Sequence, residues 1–184
     1  MDKNKSLLFE KAAIKLIDCL FCKKPPPAPP KDCCDQVVTS GFLAYASGEQ
    51  EVENGEQKVL FPDESINLGL GYDRLASTFT IPVDRSGLYN IAVTIDFTAI
   101  ESFGCEAFQI MIKVDGSTVN SIIPFPYCTN NGEEYSATTS INIYLTEGEQ
   151  VEIFINSPGG RVNNSDEKKS SFSMARFPSP PHLL

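Results

Sequence analysis

The sequence predicts an all-β sandwich, and three observations carry that prediction. Apolar residues arrive in short, alternating runs of strand length rather than in helical stripes. Turn residues separate the runs, drawn from 13 Pro and 12 Gly. The 184 residues include 12 Phe and 6 Tyr within a 41% apolar fraction, enough for one sizeable core plus a short extra piece.

Residues 1–24 depart from this pattern. Phe9, Ala13, Leu16 and Leu20 follow one another at spacings of four, three and four, which stacks them on one helical face. Ile14, Ile17 and Phe21 widen the stripe. A helix this short needs a partner surface, either its own domain or copies of itself. Residues 25–36 form a linker in which five of the six positions from Pro25 to Pro30 are proline, a semi-rigid polyproline spacer.

The sandwich is expected over residues 37–178, with a tail at 179–184. Strands are predicted at Gly41–Ala46, Lys58–Pro62, Ile66–Tyr72, Ala76–Ile81 and Gly87–Phe97. Ala107–Val114, Thr118–Phe125, Ser136–Leu145, Gln150–Asn156 and Ser170–Phe177 complete the set. With Gly116-Ser117 taken as a two-residue turn, Val114 faces Val119, Ile112 faces Ser121 and Ile110 faces Ile123. That register sets Cys105 opposite Cys128, close enough for a disulfide; the alternative is two unpaired thiols at loop edges.

Charge narrows the function classes. Residues 1–40 hold seven Lys against five acids, whereas 41–184 hold eight Lys or Arg against 19 acids, for a net charge of -9 overall. So acidic a domain repels phosphate backbones, and nucleic-acid binding is not expected; divalent cations or basic partners suit it better. No apolar run reaches membrane-spanning length. Leu7–Phe21 is interrupted by Glu10, Lys11, Lys15 and Asp18, so no secretory signal is expected from it.

Four segments, in order and at the right spacing, resemble the complement C1q and tumour-necrosis-factor superfamily. Gly41-Phe42-Leu43-Ala44-Tyr45 resembles its opening strand. Val59-Leu60-Phe61-Pro62, then Asn67-Leu68-Gly69 and Tyr72-Asp73, resembles the stretch that follows. Phe79 to Ile91 is similar to the signature F-x-x-P-x-x-G-x-Y-x-F, with two extra residues between Pro82 and Gly87 and Ile91 in place of the last aromatic. Ser171 to Pro178 resembles the closing strand, with Ala175 and Arg176 departing from it.

The resemblance implies a C1q/TNF-like jelly roll of about ten antiparallel strands that packs as a homotrimer. Phe79, Gly87, Tyr89, Phe172 and Phe177 are then core or trimer-interface positions. No Gly-x-y repeat is present, so the helix and proline spacer stand where the family carries a collagen stem. Bacterial members sit on spore surfaces and appendages, assembled from the mother-cell cytoplasm without a signal. That analogy implies a spore-surface setting, with an extracellular one as the other reading.

Candidate chemistry is sparse. Cys19, Cys22, Cys33 and Cys34 have the number and softness for zinc, but adjacent Cys33-Cys34 is poor ligand geometry. Interchain attachment through disulfides is the favoured reading of these four. The single histidine, His182, lies in the Pro-rich tail, so no nucleophile has a base and no catalytic residue is assigned. No cofactor is expected; calcium is the one ion the oxygen-rich loops 130–134 and 163–167 would suit. The sequence reads as a non-enzymatic structural or adhesive head, held to surface or filament proteins by its N-terminal segment. The alternative is a soluble module whose loops bind a carbohydrate or protein.

Overall fold

In a computed structural model of the chain, the described residues form thirteen antiparallel strands. The structure describes residues 40–99, 108–122, 132–164 and 169–178. The chain divides into two compact units, 1–38 and 39–184, and every described residue belongs to the second. The expected helix, the proline linker and Cys19, Cys22, Cys33 and Cys34 therefore lie outside the described residues, as do Cys105 and Cys128.

In chain order the first strands are β1 (Gly41–Tyr45), β2 (Gln50–Val52), β3 (Gly55–Lys58), β4 (Asp63–Leu68), β5 (Tyr72–Asp73) and β6 (Thr78–Thr80). Then come β7 (Gly87–Ala99), β8 (Gln109–Val114), β9 (Ser117–Ile122) and β10 (Glu134–Leu145). The last are β11 (Gln150–Ser157), β12 (Gly160–Val162) and β13 (Ser171–Arg176). One sheet runs β10–β7–β13–β1–β4, with β12 continuing the β13 side of β7 and carrying β2. The other runs β5–β6–β11–β8–β9, with β3 beside the far end of β11.

The two sheets bury their facing side chains against each other. Tyr89, Ile91, Val93, Ile95 and Phe97 of β7 meet Ile110 and Ile112 of β8 and Val151, Ile153 and Ile155 of β11; none is more than 1% exposed. An aromatic cluster closes one end, with Phe42 stacked on Tyr72 at 4.1 Å and set edge-on to Phe172 at 4.6 Å. Phe61 leans on Phe172 at 5.6 Å.

The signature around Pro82 proves to be a brace. Pro82 opens a turn closed by the Arg85 N–H to the Pro82 carbonyl at 3.1 Å, with Asp84 at φ 59°. Tyr89, fully buried along its ring, donates its hydroxyl to the Arg85 carbonyl at 2.7 Å. Arg176 donates to the Ser86 carbonyl at 2.8 Å, so the residue that departs from the family pattern ties the closing strand to the same turn.

Two expectations are corrected. The β8–β9 turn is Asp115-Gly116, with φ of 48° and 76°, the twist that a primed hairpin turn requires. Val114 consequently pairs with Ser117 rather than Val119, and after a bulge between Ile112 and Lys113, Ile112 pairs with Asn120 and Ile110 with Ile122. The register that set Cys105 opposite Cys128 does not hold on the described part of this hairpin. Val59 to Phe61 is also not a strand, since β3 stops at Lys58. The Val59 N–H still donates to the Ile153 carbonyl at 2.9 Å, and side chains take over beyond it: the Leu60 N–H donates to Gln50 Oε1 at 2.9 Å and the Phe61 N–H to Ser77 Oγ at 2.7 Å.

Phe172 lies at the centre of the cluster, so Phe172→Ala should cost ~3–5 kcal/mol of stability in urea unfolding. Leu75→Ala, at a side chain 84% exposed, should change it by less than about 0.5 kcal/mol. Equal losses would contradict the assigned core.

Candidate interaction face

The outward faces of the two sheets obey different chemistry. On the β11 sheet, charges are present and paired. Lys58 Nζ lies 2.5 Å from Glu152 Oε1 and donates to Thr78 Oγ1 at 2.8 Å, while the Thr78 hydroxyl donates to Glu152 at 3.0 Å. Lys113 pairs with Glu56 and sits 4.3 Å over the Phe154 ring. Burial alone would raise the Glu152 pKa, but hydrogen bonds from Lys58 and Thr78 and the nearby lysine charges hold it below the usual range.

Where β13 and β1 flank β7, the outward face of the β10–β7–β13–β1–β4 sheet carries almost no charge, whereas beyond Thr94 the same side of β7 carries Asp96 and then a row of Glu134, Thr98 and Arg161. Its side chains fall in lateral rows set by register. One row reads Asn142, Asn90, Ala175, Gly41 and Leu68; the next reads Ser140, Ala92, Ser173, Leu43 and Ile66. A third reads Thr138, Thr94, Ser171 and Tyr45 before Asp63 ends it. The polar groups pair within the face: Asn90 Nδ2 donates to Asn142 Oδ1 at 2.9 Å, and the Thr94 and Thr138 hydroxyls are 3.0 Å apart.

Relief on this face is supplied at its two edges. Tyr144 opposes Leu88 across β10 and β7, and the Phe177 N–H donates to the Leu88 carbonyl at 2.8 Å. These three side chains are 65%, 43% and 43% exposed, an apolar ridge at the end where β7 begins. Across the sheet a hollow of about 240 Å³ opens over Gly41, lined by Leu43, Ile66, Leu68 and Ala175, with Ser40 and Arg176 at its rim. A Cβ on Gly41 would collide with the Met174 carbonyl oxygen, so β1 approaches β13 there only because no side chain intervenes. The Ser40 hydroxyl is buried beside the Tyr89 phenol.

The residues anticipated for core or interface separate in space. Phe79, Tyr89 and Phe172 are fully buried, Gly87 begins β7 against the Arg176 side chain, and Phe177 stands on the outer face. The lateral rows were not anticipated, because they exist only once five non-consecutive strands are placed in register. Among the described residues no group of three or more His, Cys, Asp or Glu is placed to hold a metal. The oxygen-rich loops 130–134 and 163–167 lie partly outside the described residues. A second, open cleft of about 300 Å³ is lined by Leu70, Gly71, Tyr72, Asp73, Thr80 and Pro82. Its one phenol is committed: Tyr72 donates to the Phe61 carbonyl at 2.8 Å, and burial pushes its pKa to about 12. Among the described residues no helix is long and apolar enough to cross a membrane.

The strands form a two-sheet jelly roll in which one outward face carries paired charges and the other carries rows of small, polar and apolar side chains. The C1q domain family model matches residues 41–174, and the chain belongs to that family. The fold is similar to murine APRIL in its crystal structure at pH 5.0, with TM-score 0.58 and 10% identity over 76% of this chain and 99% of that one. It is likewise similar to Eiger TNF from S. frugiperda, with TM-score 0.58 and 12% identity over 80% of this chain and 96% of that one. No match is found among curated proteins.

Because the Glu152 pKa is lowered in the folded state, its contribution to stability is present above the unfolded carboxylate value. It is lost as pH falls through the lowered folded value. Glu152→Gln should therefore narrow the gap between urea midpoints at neutral and acid pH. An unchanged gap would show that the Lys58–Glu152 pair carries none of the acid sensitivity.

Proposed function

We propose that this protein is a non-enzymatic head that closes into a homotrimer through the uncharged face of the β10–β7–β13–β1–β4 sheet. In this reading residues 1–36, with Cys19, Cys22, Cys33 and Cys34, attach the trimer to a larger structural or adhesive assembly. The observation that carries the reading is the set of rows shared by β10, β7, β13 and β1, which hold no Lys, Arg, Asp or Glu in a chain of net charge -9. Copies of an acidic chain repel one another, and these rows bring apolar and polar groups together without opposing like charges. Membership of the C1q domain family, whose relatives pack as trimers, supports the same arrangement. Phe177, Leu88 and Tyr144 are the exposed apolar side chains such a contact would cover first.

A second reading, recognition of a protein or carbohydrate by loops, has one observation in its favour. Leu70, 88% exposed at φ 56° between two glycines, stands beside the open cleft of Tyr72 and Pro82. That backbone is costly for leucine, and strained exposed side chains are commonly held for a contact.

Light scattering separates the two readings. The 39–184 unit should run as a trimer, and full-length protein should form larger species that reductant, or Ser in place of Cys19, Cys22, Cys33 and Cys34, returns to the trimer. A monomeric 39–184 unit would end the assembly reading and leave loop recognition. Trimers of unchanged size with and without reductant would end the cysteine attachment alone.

A further inference from the structure

We infer that the C-terminal segment Ser179-Pro180-Pro181-His182-Leu183-Leu184 turns back across its own head and seats a leucine in the open cleft of Leu70, Tyr72, Thr80 and Pro82. The contact lies within one copy, so it stands whichever reading of the assembly holds. The segment lies outside the described residues, but the place where it leaves them is fixed. The Arg176 N–H donates to the Ser40 carbonyl at 2.8 Å, and the Arg176 guanidinium donates to the Ser86 carbonyl at 2.8 Å. Each anchor leads to one wall of the cleft. Gly69 lies beside Ser40, where an added Cβ would stand 3.5 Å from its hydroxyl oxygen, and Leu70 and Gly71 follow. Ser86 follows the turn that Pro82 opens. The Thr80 N–H donates to the Gly71 carbonyl at 2.8 Å, which joins the two walls.

Reach and chemistry agree. β13, β1 and β4 are neighbours, so about two strand spacings of about 4.8 Å separate Arg176 from Gly69. In polyproline geometry, at about 3.1 Å per residue, the segment from Ser179 to Leu184 spans about 19 Å, enough to cross that distance and enter the cleft. Pro180 and Pro181 have fixed φ, so less chain entropy is lost when the segment is laid down. The cleft suits an apolar occupant. Leu70 is 88% exposed at φ 56°, and Val83, next to Pro82, is 68% exposed. Two of the polar groups lining the cleft are already engaged: the Tyr72 phenol donates to the Phe61 carbonyl, and Asp73 Oδ1 accepts from the Leu75 and Ala76 N–H groups at 2.8 and 3.1 Å. A sugar would find few free partners there, whereas Leu183 or Leu184 would cover carbon surface that is otherwise wet. A cavity of about 150 Å³ accepts a benzene ring, so a cleft of about 300 Å³ has room for a leucine.

The chain contains no tryptophan, so one placed in the segment is a sole reporter. Leu183→Trp and Leu184→Trp, made separately in the full chain and held in reductant, report burial by emission wavelength and by quenching with iodide, read at several protein concentrations. At least one of the two is expected to be blue-shifted and shielded, equally at every concentration. Leu70→Gly is then added to that chain. Glycine adopts the positive φ of this position freely, so the fold is kept while the side chain is lost. It should red-shift the tryptophan and remove most of its shielding, with the far-ultraviolet circular dichroism unchanged. Leu75→Ala, on the turn between β5 and β6, should leave emission and quenching as they were. Two tryptophans exposed from the outset, or a shielded one indifferent to Leu70→Gly, overturn the strap. Shielding that fades on dilution places the segment on another copy and overturns the contact within the chain.

Discussion

The architecture depends on β7 satisfying two opposed demands along thirteen residues. Toward the core it presents Tyr89, Ile91, Val93, Ile95, Phe97 and Ala99, which supply much of the apolar surface that both sheets bury. On the other side it presents Leu88, Asn90, Ala92 and Thr94, none charged and none larger than leucine, and then Asp96 and Thr98 where β12 replaces β13 beside it. Its backbone is used on both edges: β10 runs along one, while β13 and then β12 share the other. A change that twists or shortens β7 would disturb the core and the outward face together, since the same strand sets both.

The turn before β7 explains why the Pro82–Tyr89 signature stands out in the sequence. Tyr89 is placed by the core, and its hydroxyl then fixes the Arg85 carbonyl; Glu147 accepts from the Asp84 N–H at 3.0 Å, and Ser86 Oγ accepts from the Glu147 N–H at 2.9 Å. Those bonds fasten the start of β7 to the end of β10. The ridge of Leu88 and Tyr144 is thus mounted on a pinned corner rather than on a loose loop, as a contact surface requires if little order is to be lost on association.

How much could be read beforehand follows from which interactions are local. Alternation in Gly87–Phe97 and Gln150–Asn156 exposes strand and core face at once, because period two is a property of neighbours. The short β2 and β12 are not legible, since Gln50–Val52 and Gly160–Val162 are too short to show alternation and are strands because β12 pairs with the end of β7 and β2 pairs with β12. The hairpin was misregistered by one dipeptide: Asp115-Gly116 is the stronger turn pair, and Asp115 also accepts from the Gln150 N–H at 2.9 Å. The uncharged face lay furthest from view. Asn142, Asn90, Ala175, Gly41 and Leu68 are scattered over a hundred residues and become a row only through four pairings of which none joins chain neighbours.

The contrast between the two outward faces bears on why the uncharged one is not an ordinary wet surface. Where the β11 sheet meets solvent it carries Lys58, Glu152, Lys113 and Glu56, each neutralised by a neighbour, as a soluble surface commonly does. On the rows of the other sheet that β7 shares with β13 and β1, Ser, Thr and Asn stand in the places of Lys and Glu. Two such pairs, Asn90 with Asn142 and Thr94 with Thr138, are joined across β7 and β10, so part of their hydrogen bonding is matched before anything approaches. Removing water from a pre-paired amide or hydroxyl costs far less than stripping it from a lone one, and far less again than stripping it from a charge. A face built this way keeps its low cost of desolvation as a standing property. Its apolar ridge and hollow can then act as the favourable part of a contact without being cancelled by the polar ground between them.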